Sequence, residues 1–261
     1  MTSNGATAQE QYDVIAKQYA TRGSIPHSKL EFELCKRALG DCTGYRVLDL
    51  AGGTGVHSTF AIEAGASHID VVDISDKMMH IGVDIERQAG RDIIRWHKAD
   101  IIPPLKKALP DLAHESYDLV LAMWPWDYAG TFQEYVGIWR NVAAYLKPGG
   151  RLIGSRIVNP WGSALQTGKY GAKCELIQQT EAKGVKVLVT VDTEPPFRFE
   201  SVATEASLRG ETYVPNKLGI VELCNLPIEE TATVKADPDF WKDCMEDPYF
   251  AVFTGKKKSQ S

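Results

Sequence analysis

The spacing of hydrophobic positions changes along the chain. Tyr12, Ile15, Ala16 and Tyr19 recur at helical intervals and predict a helix over residues 11–19. Residues 1–10 read as a loose end. Gly23 and Pro26 break that helix, and a second amphipathic helix is expected over 28–39 on Leu30, Phe32, Leu34, Ala38 and Leu39. From residue 46 short, nearly continuous apolar runs alternate with helical stretches. The runs 46–50, 68–73, 95–100, 117–123 and 151–155 predict strands, and 56–64, 75–88 and 131–146 predict helices. The last of these helices stops at Lys147-Pro148-Gly149-Gly150. Strands apolar on both faces and alternating with helices imply a parallel sheet covered on both sides, with its ligand at the carboxyl ends of the strands. Beyond 155 the spacing suggests a helix near 172–183, strands at 185–191 and 197–204, a helix near 209–218, and strands around 220–224 and 249–255. We expect one α/β domain in three parts: an N-terminal helical lid (1–44), a Rossmann-like core (45–156), and a C-terminal elaboration that returns to the sheet (157–261).

Composition narrows the function. The 261 residues are 44% hydrophobic and 24% charged, with a formal net charge of −5, so a nucleic-acid partner is not expected. The five cysteines form no CxxC pair and no Cys/His cluster, which argues against a disulfide framework and against a metal site. The first ten residues lack a basic, apolar leader, and no apolar run approaches the ~18–20 residues of a membrane span; a cytoplasmic protein is expected.

The chemistry concentrates after the first strand, at Asp49-Leu-Ala51-Gly52-Gly53-Thr54-Gly55. A glycine-rich strand-to-helix turn admits a ligand close to the backbone. A dinucleotide fingerprint would need a third glycine where Ser58 stands, and Asp49 would oppose a pyrophosphate; it suits a positive amino group. Asp73 ends the second strand, where a carboxylate accepts ribose hydroxyls, and Asp100 ends the third, placed for an adenine amine. These acids around one glycine loop describe a pocket for an adenosine with a cationic tail, S-adenosylmethionine. Each acid also has a plain structural alternative, as a helix cap or turn residue.

The ordered set Val47-Leu-Asp-Leu-Ala-Gly-Gly-Thr-Gly55, Val72-Asp-Ile-Ser75, Ala99-Asp100-Ile101, Tyr117-Asp-Leu-Val120 and Leu146-Lys-Pro-Gly-Gly150 resembles the class I S-adenosylmethionine-dependent methyltransferases over residues 45–155. A nearer resemblance, to the toxoflavin-synthase-like small-molecule methyltransferases, rests on Tyr12-Asp-Val-Ile-Ala-Lys-Gln-Tyr19, Trp126-Asp-Tyr-Ala129, Asp237-Pro-Asp-Phe-Trp241 and Asp247-Pro248. It implies a doubly wound seven-stranded sheet with the last strand antiparallel. It also implies backbone contacts to the cofactor at Ala51, Gly52, Gly53 and Gly55, ribose at Asp73, adenine at Asp100, and the methionine ammonium at Asp49. The N-terminal helix would be a lid carrying Tyr12 and Tyr19. Ile74, Ile101, Met123 and Tyr128, beside the strand ends, complete the expected cofactor set.

Trp124, Trp126 and Tyr128 follow the fourth strand, where cofactor and acceptor should meet, although core packing is the alternative. Arg22 is a candidate partner for a carboxylate of cofactor or substrate. Asp127 and His27 are candidate bases, and His57 reads as an ordinary histidine. The expected reaction is methyl transfer to O or N of a small-molecule acceptor of secondary metabolism, requiring no metal. Met123-Trp-Pro-Trp126 stands where an Asn/Asp-Pro-Pro-Tyr motif for nucleic-acid or protein acceptors would lie. An NAD-dependent oxidoreductase and a catalytically silent cofactor-binding protein are the alternatives.

Overall fold

The fold was analysed in a computed structural model that describes residues 3–181 and 183–259. In chain order its elements are α1 (Ser3–Tyr19), α2 (Pro26–Leu39), β1 (Arg46–Leu50), α3 (Val56–Glu63), β2 (His68–Asp73), α4 (Asp76–Gln88), β3 (Ile94–Lys98), β4 (Tyr117–Met123), α5 (Phe132–Tyr145) and β5 (Leu146–Ile157). There follow α6 (Ser163–Thr167), β6 (Ala172–Gln179), β7 (Val185–Val191), β8 (Phe197–Ala203), α7 (Glu205–Leu208), α8 (Tyr213–Lys217), β9 (Ile220–Asn225), α9 (Ala232–Ala236), α10 (Pro238–Glu246) and β10 (Phe250–Lys257).

Seven strands form one sheet in the order β3-β2-β1-β4-β5-β10-β9. The first five pair in parallel, and β10 runs antiparallel to both β5 and β9. This is the mostly parallel α/β sheet the alternation predicts. Val47, Leu48 and Leu50 of β1 and Leu119, Val120 and Leu121 of β4 are fully buried, because helices cover both faces. The strand order reverses between β1 and β4, which places the ligand crevice beyond their carboxyl ends. Local signals fix the helix starts. Ser75 accepts from the Met78 amide to cap α4, and Thr131 and Glu134 form a reciprocal capping box on α5.

The remaining strands form a second, antiparallel sheet in the order β6-β7-β8. Four expectations change. Residues 172–179 are an edge strand, not part of a helix: they expose Lys173 and residues 175–179, so no helical face is buried. The helix near 209–218 shrinks to α8, preceded by the short α7. The supposed loose end is helical from Ser3 onward; Met1 and Thr2 lie outside the described residues. The fifth strand also starts earlier than expected, at Leu146, and the helix before it ends at Tyr145. Among the described residues, no helix is long and apolar enough to cross a membrane.

Candidate active site

The loop after β1 is shaped by close approaches. Ala51, Gly53 and Gly55 all take positive φ (58°, 58° and 74°). A side chain at Gly52 would sit 2.7 Å from the Asp49 carboxyl carbon and 2.9 Å from Val71, so only glycine fits there. Asp73 fixes the loop from the end of β2. One carboxylate oxygen accepts from the Gly53 amide and the other from the Ser75 amide, each at 2.8 Å. Burial raises its pKa to about 6, against those backbone bonds.

This loop walls an open cleft of about 880 Å³, solvent at its mouth included. Of the sequence candidates, Ala51, Gly52, Gly53, Asp73, Ile74, Asp100, Ile101, Met123 and Tyr128 line it, together with Tyr12, Tyr19, Arg22 and Trp124. Asp49 and Gly55 do not. Asp49 is completely buried under the loop, where it accepts a 2.7 Å bond from the Ser58 hydroxyl; its other oxygen has no partner among the described residues. Burial lifts its pKa to about 6, with His57 and Ser58 opposing. Gly55 caps α3 and meets the Trp96 ring instead. Thr54, Met78, Ile102 and Pro125 also line the cleft without having been singled out, because their side chains carry no distinctive chemistry.

A second chamber of about 730 Å³ lies alongside, and both are lined by Tyr12, Tyr19, Arg22, Trp124 and Tyr128. The Tyr12 and Tyr128 hydroxyls hydrogen-bond to each other across this partition. The α1 helix that carries Tyr12 is clasped on two sides. Asp13 accepts from the Ser75 hydroxyl at 2.6 Å, and Gln11 accepts from the Glu200 amide of β8. The second chamber is walled by the three-stranded sheet through Ala172, Val189, Val191 and Phe199, and by Ile25, Leu165 and Phe250. Both candidate bases line it. The His27 Nδ1 lies 2.9 Å from the Tyr249 hydroxyl, and burial lowers this imidazole to about 4, so it is neutral at pH 7. Asp127 accepts from the Ile157 amide at 3.0 Å; burial raises it to about 7, against that bond and Arg156.

Sequence reading missed Glu31. It is fully buried on α2 and meets two residues of the cleft wall at once, Arg22 at 3.1 Å and His57 at 2.7 Å. Burial alone would raise its carboxyl, but His57 and Arg22 hold it down to about 2. Arg22 also lies over the Tyr19 and Phe32 rings. No spacing rule signals this group, since its members come from three separate elements.

Trp126 is the one aromatic candidate that lines neither chamber. Trp124 takes φ +70° and Pro125 follows, so the chain reverses and the two indoles part. Trp126 is 1% exposed and packs on Trp139 and Phe253, on the far face of the sheet. Trp126→Ala is therefore expected to lower unfolding free energy by about 3–5 kcal/mol in urea melts. Trp124→Ala, at a half-open cavity wall, should cost under ~2 kcal/mol. The reverse ranking would show that Trp124, not Trp126, is the structural indole.

Residues 47–150 match the family model described as a methyltransferase domain. Within those residues the chain carries a methyltransferase domain. A demethylmenaquinone methyltransferase of Clavibacter sepedonicus is 32% identical over 130 residues, 50% of this chain and 48% of the relative. A ubiquinone/menaquinone biosynthesis C-methyltransferase of Methylobacterium nodulans is 33% identical over 116 residues, 42% of this chain and 40% of the relative. The chain thus spans less than half the length of these relatives. An S-adenosylmethionine-dependent methyltransferase structure from Mesorhizobium loti superposes with a TM-score of 0.56 at 19% identity, covering 85% of this chain and 95% of the other, and shares its fold. The matched segment holds the glycine loop, Asp73 and Asp100. The methyltransferase domain's partners in the site, α1 and the three-stranded sheet, lie outside it.

Proposed function

We propose that this protein transfers a methyl group from S-adenosylmethionine to an O or N atom of a small-molecule acceptor held in the second chamber. The observation that carries the reading is the shared partition. A cleft built from a glycine loop and strand-end acids abuts an apolar chamber across one aromatic wall.

The residues fit the cofactor. Gly52 leaves the loop backbone bare, Asp73 keeps lone pairs for ribose hydroxyls beyond its two backbone bonds, and Asp100 and Ile101 edge the far end of the cleft. Tyr12, Tyr19 and Arg22 would take the methionine carboxylate. Asp49 would act through the loop it supports, not by direct contact with the ammonium. When bound, S-adenosylmethionine supplies an electrophilic methyl group that an acceptor atom aligned with the S–C bond displaces. Trp124 and Tyr128 would flank that path and keep water out. Of the two candidate bases, Asp127, raised by burial to about 7, is the one matched to receive a proton from an acceptor hydroxyl; His27, lowered to about 4, would line the chamber as a neutral ring.

The names of the two relatives favour a second reading, methylation at carbon. The NAD reading loses support from Ser58, which stands at the missing glycine and is tied to Asp49. The five cysteines are all free, which suits a cytoplasmic enzyme, and we place the acceptor in secondary metabolism. Calorimetric titration is the test. S-adenosylmethionine and S-adenosylhomocysteine should bind with micromolar affinity and NADH should not; NADH binding alone would overturn the reading. The product's carbon NMR shift then separates O-, N- and C-methylation.

A further inference from the structure

The charges lining the second chamber restrict what enters it. Its cation, Arg22, is paired with the buried Glu31 carboxylate at 3.1 Å and, in the reading above, turned to the methionine carboxylate in the first cleft, so its charge is committed outside this chamber. Its carboxyl, Asp127, is 5% exposed and has one oxygen on the Ile157 amide and the other buried at the chamber wall with no partner among the described residues. The nearby Arg156 guanidinium is spent on the Ser207 and Leu208 carbonyls and on Asn225. The other walls are mostly aliphatic or aromatic, with Trp124 and Phe250 on one side and Phe199 on the sheet, and their hydroxyls are engaged internally, Ser28 with Arg22, Ser201 with the Asp127 carbonyl and Tyr12 with Tyr128. An anionic guest would find no spare positive charge and would lose its hydration uncompensated. A flat guest would find aromatic surfaces to stack on, and a hydroxyl or N–H donor would find the unpartnered Asp127 oxygen.

We infer that the acceptor is an uncharged, flat, apolar molecule carrying an O–H or N–H donor, and that Asp127 is the group that recognises that donor. This rests on the reading of the first cleft as the cofactor site, but only for the guest's being an acceptor; the binding claim stands on the chamber itself. Recognition and proton acceptance are then successive uses of one carboxylate: the acceptor hydroxyl donates to Asp127 on binding and passes that same proton to it as the O–CH₃ bond forms and the S–CH₃ bond breaks.

Isosteric probes test it by calorimetry, on the protein alone and saturated with S-adenosylhomocysteine. The neutral 2-naphthol should bind at least tenfold more tightly than 2-naphthoate or 2-naphthylmethylammonium. Either charged probe binding as well as 2-naphthol would overturn the inference. The wild type should prefer 2-naphthol to 2-methoxynaphthalene, which lacks the donor. In Asp127→Asn, whose amide oxygen can keep the Ile157 bond while its NH₂ takes the place of the unpartnered oxygen, that preference should vanish or reverse. An unchanged preference would remove Asp127 from recognition. Val189→Trp, which fills the chamber, should abolish 2-naphthol binding and leave S-adenosylhomocysteine binding intact; retained 2-naphthol binding would place the guest elsewhere. Failure of S-adenosylhomocysteine to bind would strike the cofactor reading alone, because the probe series on the free protein is read independently.

Discussion

Asp73→Ala is expected to weaken S-adenosylhomocysteine binding by roughly 100-fold or more. A hydrogen bond to a charged carboxylate contributes about 1.5–3 kcal/mol, and two ribose hydroxyls would meet this one. Each 1.4 kcal/mol is about tenfold in affinity. The same carboxylate holds the Gly53 and Ser75 amides, so its removal also loosens the loop against which the ligand lies. Asp73→Asn separates the effects. Its amide oxygen can still accept from Gly53, so the loop should survive while part of the ribose affinity is lost, giving an intermediate Kd. A loss below threefold in Asp73→Ala, with an unchanged melt, would remove Asp73 from the cofactor set.

The same residue sets a pH dependence. Burial holds its folded pKa at about 6, above the ordinary carboxylate value. The folded state therefore binds this proton more readily than the unfolded chain does. Its contribution to stability falls as pH rises from about 4 to 6 and is level above that. Ligand affinity runs the other way, because the ionised carboxylate is the better acceptor for hydroxyls. S-adenosylhomocysteine binding should strengthen from pH 5 to 7 while the free protein loses stability at the lower end of that range. Asp49, also raised to about 6, acts in the same direction through the loop above it. A pH slope of affinity that persists in Asp73→Ala and disappears in Asp49→Asn would assign it to Asp49.

How far the sequence carried the fold depends on what each segment buries. Strands β1, β2 and β4 are apolar on both faces because the sheet is covered twice, so their hydrophobic runs were legible without context. Asp73, which closes β2, and Asp49, next to last in β1, were legible for the same reason; Asp100 lies two residues beyond β3, which ends at Lys98 and not at Asp100 as its run suggested. Strand β6 was not legible. Its sequence Ala-Lys-Cys-Glu-Leu-Ile-Gln-Gln favours helix by composition, and only its pairing with β7 makes it a strand. The paired tryptophans show a finer limit. Trp124 and Trp126 look equivalent in sequence, and the positive φ at Trp124 decides which one faces the chambers. The second chamber as a whole depends on long-range packing of β7 and β8 against α1 and the β4 exit, which no local pattern encodes.

Glu31→Ala should be the most damaging single change to the fold around the site. The variant leaves Arg22, which is 8% exposed, without its carboxylate, and it also strips His57 of its partner. Breaking a buried ion pair from one side costs about 3–5 kcal/mol, because the remaining charge is desolvated and unpaired. That is a large part of the roughly 5–15 kcal/mol that holds a typical protein folded. Glu31→Gln should lose less, since its amide oxygen can still accept from Arg22 or His57. The double variant Arg22→Met/Glu31→Met separates fold from site. Replacing both partners by apolar groups removes the unpaired charge, so urea melts should recover at least half of the stability lost in Glu31→Ala. The cleft would still lack its cation, so S-adenosylhomocysteine affinity should stay reduced if Arg22 meets the ligand's carboxylate. Recovery of stability together with full affinity would make the Arg22–Glu31 pair purely architectural. A cost below 1 kcal/mol for Glu31→Ala would mean that water reaches Arg22 once the carboxylate is gone. In acid the stabilisation by Glu31 should persist to low pH. Its folded pKa of about 2 lies below the unfolded value, so the contribution is complete above about pH 5 and is lost only as pH falls through 4 toward 2.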